Sequence, residues 1–583
     1  MKRTAEQARS WLLPQGIQQT PYTSDPQSQP DGNARPRVFT VDELRNMSRP
    51  PGDYSGIDTD SSPDTAIFLK YGKIPGRKYC YKKICDFCIK NKLGDALSYL
   101  CVKHNIYILE IDDELLDGDH VLFIVNWAQT IRFEIELDVR LTGQAVGLSP
   151  LLHIFENSAI TGLRFDFYHR PAELQCNLLD PIRNNSTLKK LSVFYLHNDA
   201  IEKLIEVLSV NSSITRLDLD ASEVNEETII RMCSFLERST NIISLTIKLY
   251  HASNYLPLFC KILENNARLE SFSVDNTDWD EDAARVLAAV LEKNQHLRTL
   301  EIITSTNDEL DATAACVLLD ALKSNNTLTS LVLDSCDIDD KFAKNIGQLI
   351  RINTSLQSLA LYCCNLQSSS AKEIADALPC NTCLRTLSLA VDFKETEFSS
   401  IMNSCSEMRS LSNLYLSAEQ RHHFPFHSDA IALLIRSNKT LESIGFSAYS
   451  SNAGLARIEG LDAVLAAVQS NHTLFDFGML LTTNWNEWIG MRDMLLGKEN
   501  FSLTDYRPIC VPNYDEIVSK VRANAEARKL RFGTVLALGV LAPDMPTEVL
   551  AVIADKLTFR NEQQPKKSGT AVMRNLAKMA GAD

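Results

Sequence analysis

The 583-residue chain lacks any apolar run long enough to cross a bilayer. Its longest such run, Val535–Ala542, falls far short of the roughly 20 residues a spanning helix needs. Basic charge is also scarce. Lys and Arg number 59 against 74 Asp and Glu, a net charge of -15 and a pI near 5.3. A nucleic-acid binder normally shows a basic face, so this balance argues against one. The N-terminus, MKRTAEQARSWLLPQG, starts basic but has no apolar core of a secretory leader. No P-loop is present: YGKIPGRK lacks the GxxxxGK[ST] spacing that cradles phosphates. A GxSxG elbow and an HExxH helix are missing too. The 15 cysteines are scattered rather than framed in pairs, which suits a reducing cytosol better than a disulfide scaffold.

What the chain does have is a repeated phrase: apolar, two polar, apolar, polar, apolar. Clear copies are Leu188-Leu191-Val193, Ile214-Leu217-Leu219, Leu269-Phe272-Val274, Leu297-Leu300-Ile302, Leu328-Leu331-Leu333, Leu356-Leu359-Leu361 and Leu384-Leu387-Leu389. Successive copies lie roughly 26 to 33 residues apart, a leucine-rich-repeat period. Between them runs a second pattern, with apolar residues three and four apart. Ala284, Leu287 and Leu291 precede Asn294; Ala343, Ile346 and Ile350 precede Asn353; Ala371, Ile374 and Leu378 precede Asn381. That spacing places the apolar groups on one helix face. The Asn is expected to end the helix by taking the left-handed conformation. Each repeat is then one strand plus one helix, and neither buries its apolar face alone. The expected fold is α/β, a right-handed solenoid of about 12–14 repeats with a parallel inner sheet and outer helices.

Four regions follow. Residues 1–70, rich in Pro, Ser, Asp and Gly, read as a disordered tail, either a plain flexible arm or an export signal. Residues 71–105 read as an N-terminal helical cap, 106–500 as the repeats, and 501–583 as a helical C-terminal region.

Strand alternation turns the residues between the apolar positions outward. The face so built carries Asp218, Asp220, Asp275, Glu301 and Asp334, flanked by Phe194, Tyr195, Tyr362 and Tyr415. An acidic groove with aromatic edges suits a basic protein partner. Candidate chemistry is sparse. Cys85, Cys88, Cys101 and His104 have zinc-like spacing, but the surrounding helical periodicity makes them core residues first. His422, His423 and His427 sit in an inserted loop, and Trp485 and Trp488 read as packing for the last repeat. No catalytic residue, metal or cofactor is expected, nor any membrane contact.

The run NNTLTSLVL (325–333) resembles the ribonuclease-inhibitor-like subclass of leucine-rich repeats. That subclass also occurs in animal NLR receptors, Ran GTPase-activating proteins and bacterial type III effectors. The resemblance implies a horseshoe that binds proteins, in a cytoplasm or, for an effector, in the host cell. This chain departs from the pattern after the strand: Cys336 and Cys364 fill the usual Asn or Cys position, but Ser222, Thr277 and Asp392 stand there elsewhere. A second resemblance lies near the C-terminus. MPTEVLAVIADKL (545–557) is similar to the opening of an F-box, with Met545, Pro546, Glu548, Val549, Ile553 and Leu557 in the pattern positions. In that family the helix docks on the Skp adaptor of cullin-type ubiquitin ligases; a capping helix would look much the same. The leading expectation is a non-enzymatic recognition module, an effector that hands a host protein to a ubiquitin ligase. Two alternatives stay open. One is a leucine-rich-repeat ubiquitin ligase, though Cys510 lacks the Asp that those enzymes place two residues on. The other is a scaffold or GTPase regulator, with Arg216 as the inward basic candidate.

Overall fold

The computed structural model describes residues 40–51, 78–104, 108–111, 118–130, 135–140, 160–249, 255–275, 281–303, 312–334, 339–364, 368–391, 395–420, 427–450, 461–482, 516–517 and 519–524. All belong to the second of two compact units, Thr40–Asp583.

Fourteen strands form one parallel sheet in which spatial order follows chain order. They are β1 (Ile108–Ile111), β2 (Ile135–Arg140), β3 (Ile160–Asp166), β4 (Lys190–Phe194), β5 (Arg216–Asp220), β6 (Ser244–Lys248), β7 (Ser271–Asp275), β8 (Thr299–Ile303), β9 (Ser330–Asp334), β10 (Ser358–Cys364), β11 (Thr386–Val391), β12 (Asn413–Gln420), β13 (Ser443–Ser450) and β14 (Asp476–Thr482). The helices are α1 (Val41–Asn46), α2 (Lys78–Lys90), α3 (Gly94–His104), α4 (Gly118–Thr130), α5 (Ala172–Leu179), α6 (Asn198–Leu208), α7 (Glu226–Arg238), α8 (Leu256–Asn265), α9 (Glu281–Leu291), α10 (Ala312–Leu322), α11 (Asp340–Ile352), α12 (Ser368–Ala377), α13 (Glu395–Glu407), α14 (Ser428–Ser437) and α15 (Leu461–Ser470). From β3 on, one of these helices separates each strand from the next. The fold is an α/β solenoid of leucine-rich-repeat type, as the two interlocked periods require.

Each phrase supplies its strand's inward residues. Leu331 and Leu333 on β9 and Leu359 and Leu361 on β10 are buried, and so are the helix-frame residues Ala343, Ile346 and Ile350 of α11. Full burial of one such leucine contributes about 1.5–3 kcal/mol. The helices start on side-chain caps where the sequence offers them: Asn225 Oδ1 accepts from Thr228 N–H at 3.0 Å, and Asp339 Oδ1 from Phe342 N–H at 2.6 Å.

The helix stop works differently from expectation. Asn266 (φ -87°, ψ 96°), Asn353 (φ -71°, ψ 130°) and Asn438 (φ -75°, ψ 128°) are extended, not left-handed. Their side chains do the work. Asn353 Oδ1 accepts from the N–H groups of Ser355 (2.9 Å) and Leu356 (2.7 Å), which turns the chain into β10. Its Nδ2 donates back to the carbonyls of Leu322 (2.8 Å) and Asn325 (2.9 Å) in the preceding repeat. Asn211, Asn266, Asn294, Asn325, Asn381, Asn438 and Asn471 likewise donate to the repeat before. An amide offers donor and acceptor at once, so one residue closes a turn and ties two repeats. The bond is made once more past β14: Asn524 Nδ2 donates to Asn471 and Leu474 carbonyls, both at 2.9 Å, with Ile517 and Val521 buried ahead of it.

The stretch read as a tail contains an ordered piece. Thr40 and Glu43 form a reciprocal capping box at the start of α1. Leu44 is buried, Tyr99 hydroxyl donates to Met47 carbonyl at 3.4 Å, and Lys103 Nζ donates to the carbonyls of Arg45 (2.8 Å) and Met47 (3.2 Å). One cap and one buried leucine thus fix this segment on α3.

Candidate functional site: the open face of the sheet

The side of each strand turned from the helices carries three rows of residues, set by the register. At strand starts Glu136 pairs with Gly162, Gly162 with Lys190, and Lys190 with Arg216. Mid-strand, Asp138 is followed by Arg164, Ser192, Asp218, Thr246, Ser273 and Glu301. At strand ends Asp220 is followed by Lys248, Asp275, Ile303, Asp334 and Tyr362.

The acidic residues do not share one environment. Asp218, Asp275 and Glu301 are half-buried and line the face. Ser192 hydroxyl donates to Asp218 at 2.7 Å. Asp220 and Asp334 are buried, at 1% and 2% exposure, and so is Tyr362 at 1%. Asp220 Oδ1 accepts from Ser222 N–H at 3.1 Å, closing the turn that leaves β5, while Lys248 lies 3.7 Å from its other oxygen. Asp166 closes the same turn after β3 by accepting from Tyr168 N–H at 3.1 Å. An Asp in this position serves the turn before it serves any partner. Cations on the face are mostly matched as well. Lys190 bridges to Glu136 at 3.0 Å, reaching across the space over Gly162, and Arg164 lies 3.5 Å from Asp138. Arg216 is exposed and has no ion-pair partner among the described residues.

Phe194 and Tyr195 belong to an aromatic cluster at the end of β3 and β4. Arg164 stacks on the Phe194 ring at 4.3 Å. Tyr195 meets Tyr168 edge-on at 5.1 Å, and Tyr168 packs on His169 at 3.8 Å. Tyr168 is 46% exposed. His169 (φ 60°) and Tyr195 (φ 59°) are both left-handed, a conformation that costs a bulky residue about 1 kcal/mol or more. The fully buried Gln175 holds them: its Nε2 donates to the carbonyls of Arg170 (3.2 Å) and Tyr195 (3.0 Å), and its Oε1 accepts from His197 N–H (3.0 Å). Sequence reasoning missed Tyr168, His169 and Gln175. A signal existed for the last. Gln175 stands ten residues before Asn185, the frame position that Ala284 and Ala343 fill before Asn294 and Asn353. A glutamine there must find buried partners.

Tyr415 lies apart, on β12. It is half-buried, and its hydroxyl donates to Ser443 Oγ at 3.3 Å, which donates to Asp476 at 3.2 Å. Burial raises its pKa above the ordinary value, with Asp476 adding to the rise and the Ser443 bond opposing it. Around it the mid-strand row is small: Ala360, Ser388 and Gly445.

Met545, Pro546, Glu548, Val549, Ile553 and Leu557 lie outside the described residues, as do His422, His423, Trp485 and Trp488. Cys85, Cys88 and Cys101 are buried in α2 and α3. Desolvation pushes the Cys88 thiol up to about 12, and Cys101 rises too, by burial first and the neighbouring Cys88 second. Among the described residues no three His, Cys, Asp or Glu side chains are placed to hold a metal, and no helix is long and apolar enough to cross a membrane.

No family model matches the chain, and no curated protein matches it. Among solved structures it is similar to leiomodin-1 actin-binding site 2, at 25% identity over 22% of this chain and 73% of that one, with a TM-score of 0.19. It is similar to a structure of the Rad7 and Elc1 complex in yeast at 15% identity, over 70% and 89% of the two chains, TM-score 0.38. A protein from Bacteroides fragilis matches at 14% identity over 46% and 74%, TM-score 0.29.

Proposed function

We propose that the chain is a non-enzymatic protein-recognition module that grips a basic partner on the open face of the sheet. The observation that carries this is the aromatic cluster of Phe194, Tyr195 and Tyr168. Two strained residues and a saturated buried glutamine hold it in place before any partner arrives. Preformed aromatic anchors cost little entropy on binding and dominate interface energetics. Asp218, Asp275 and Glu301 extend from it across β5–β8 and supply the complement to a basic segment.

The test is a cross-linking map of the full chain with a captured partner. Tyr168→Ser and the pair Asp275→Lys/Glu301→Lys are run beside it, with thermal unfolding as the control for fold. Cross-links on the β3–β8 face, lost in both variants, support the reading. Cross-links confined to the helix side, or binding indifferent to both variants, overturn it.

The finer reading is a bacterial effector working in a host cytoplasm, which passes its partner to a ubiquitin ligase through Pro546, Glu548, Ile553 and Leu557. Its support is the tail composition and the F-box-like pattern in the sequence. Binding of the purified Skp adaptor to the full chain, lost in Pro546→Ala/Ile553→Ala, is the expected result. No binding by the unaltered chain removes the adaptor role and leaves the recognition module.

A further inference from the structure

Five of the buried inter-repeat asparagines open an Asn-Xaa-Ser/Thr triplet: Asn211-Ser212-Ser213, Asn325-Asn326-Thr327, Asn353-Thr354-Ser355, Asn438-Lys439-Thr440 and Asn471-His472-Thr473; half-buried Asn185, in the same frame position, opens another with Ser186 and Thr187, and Asn46, Asn184 and Asn500 open triplets of their own. With Xaa other than proline, this is the acceptor sequence for N-linked glycan. The coincidence has a structural origin. The repeat wants an amide at the first position and a hydroxyl at the third. Thr440 Oγ1 donates to Leu411 carbonyl at 2.7 Å and Ser355 Oγ to Leu328 carbonyl at 3.0 Å, as their asparagines tie the same turns.

Glycan transfer and this fold compete for one atom. In transfer, Asn Nδ2 forms a bond to the anomeric carbon of a lipid-linked oligosaccharide, the lipid diphosphate leaves, and the amide gives up a proton. In the fold, Asn211 Nδ2 donates to Ile182 and Asn185 carbonyls (both 2.7 Å), and Asn438 Nδ2 to Cys405 and Met408 carbonyls (both 2.9 Å). Both protons are committed there. The five residues are 1–7% exposed, so a sugar would occupy the space of the adjoining repeat. We infer that these triplets are glycan acceptors the fold requires to stay bare, so the chain folds only in a compartment without oligosaccharyl transfer, such as a cytosol. Transfer in the secretory pathway acts on chains still unfolded, so burial in the finished structure gives no protection. The inference rests on the asparagine bonds and is independent of the proposed partner.

The experiment expresses the full chain in one eukaryotic cell line, with and without a cleavable secretion leader. The leader form is expected to gain glycosidase-removable mass at the five asparagines, to stay inside the cell and to be protease-sensitive. The cytosolic form is expected to be bare and resistant. A variant with Ser186→Pro, Ser212→Pro, Asn326→Pro, Thr354→Pro, Lys439→Pro and His472→Pro removes the triplets of the repeat turns, that of Asn184 included, and keeps the asparagines. These six sites are exposed, and their N–H groups make no hydrogen bond among the described residues. Asn353 and Asn438 already have the extended ψ a following proline demands. With the leader, this variant is expected to be resistant. Should it fail to fold in the cytosol, the unaltered chain is tested with lipid-linked oligosaccharide synthesis inhibited, where resistance is again expected. Three results overturn the inference: a resistant leader form carrying glycan at these asparagines, a resistant leader form modified at none of the five, or protease sensitivity that persists when transfer is blocked.

Discussion

Asn353 shows how much one side chain does here. It accepts two backbone N–H groups and donates to two carbonyls, three of the four bonds fully buried. Asn353→Ala leaves those groups without partners, and unfolding by urea is expected to show a loss of roughly 1–3 kcal/mol. The position of this residue was legible, because Asn recurs three residues before each clear copy of the phrase. Its role was not: a period records where an amide stands, not which carbonyl it reaches, and left-handed closure was the wrong mechanism. The buried thiols give a second prediction at this scale. Desolvation raises Cys88, Cys233, Cys260 and Cys405 from 9.0 to about 12. Their contribution to stability is fully present below pH 9, where both states hold the proton. Above it the unfolded chain ionises first, so stability is expected to fall by up to about 1.4 kcal/mol per pH unit for each thiol until the folded state ionises as well. At neutral pH an alkylating reagent followed by mass spectrometry is expected to mark exposed Cys380 and spare these four.

Elements were read well where packing repeats and poorly where it does not. The strand phrase and helix frame announce themselves because every repeat buries the same positions. Helix α1 carries an equally plain capping box, yet the polar residues around it outweighed that signal, and Lys103 gives no hint in sequence of its reach back to Arg45 and Met47. The open face was legible in register but not in exposure. Alternation placed Asp220 and Asp334 on the right side of the sheet, while their burial, and the turns that take up the carboxylates of Asp166 and Asp220, do not show in a period of two. Gly162 in β3 offers a test of packing at this scale. A Cβ there would fall 2.3 Å from Glu136 Cγ, whose carboxylate crosses above to Lys190. Gly162→Ala is expected to destabilise, and Gly162→Ala in a Glu136→Ala background to cost less, by roughly 0.5–1 kcal/mol in a double-mutant cycle. Equal costs in both backgrounds would mean the glycine answers to something else.

At the largest scale, the described repeats are a line of neighbours, each bonded mainly to the one before and the one after. The open face changes character along that line, from charged and aromatic over β3–β9 to small side chains around Tyr415, so a partner that covers it meets two surfaces. The asparagine tie changes along the line too. Ser239 stands where an Asn would close α7, and Asn241 covers for it with a single 3.4 Å bond to Asn211 carbonyl; Met408 stands in the same place after α13 and has no amide to offer. A chain of otherwise equal links parts at its weakest ones. Amide hydrogen exchange of the described residues is expected to release protection in three blocks, those of 160–238, of 240–407 and of 411–482, with Ser239→Asn and Met408→Asn merging adjacent blocks into one. Those two seams are where this protein would begin to come apart under strain.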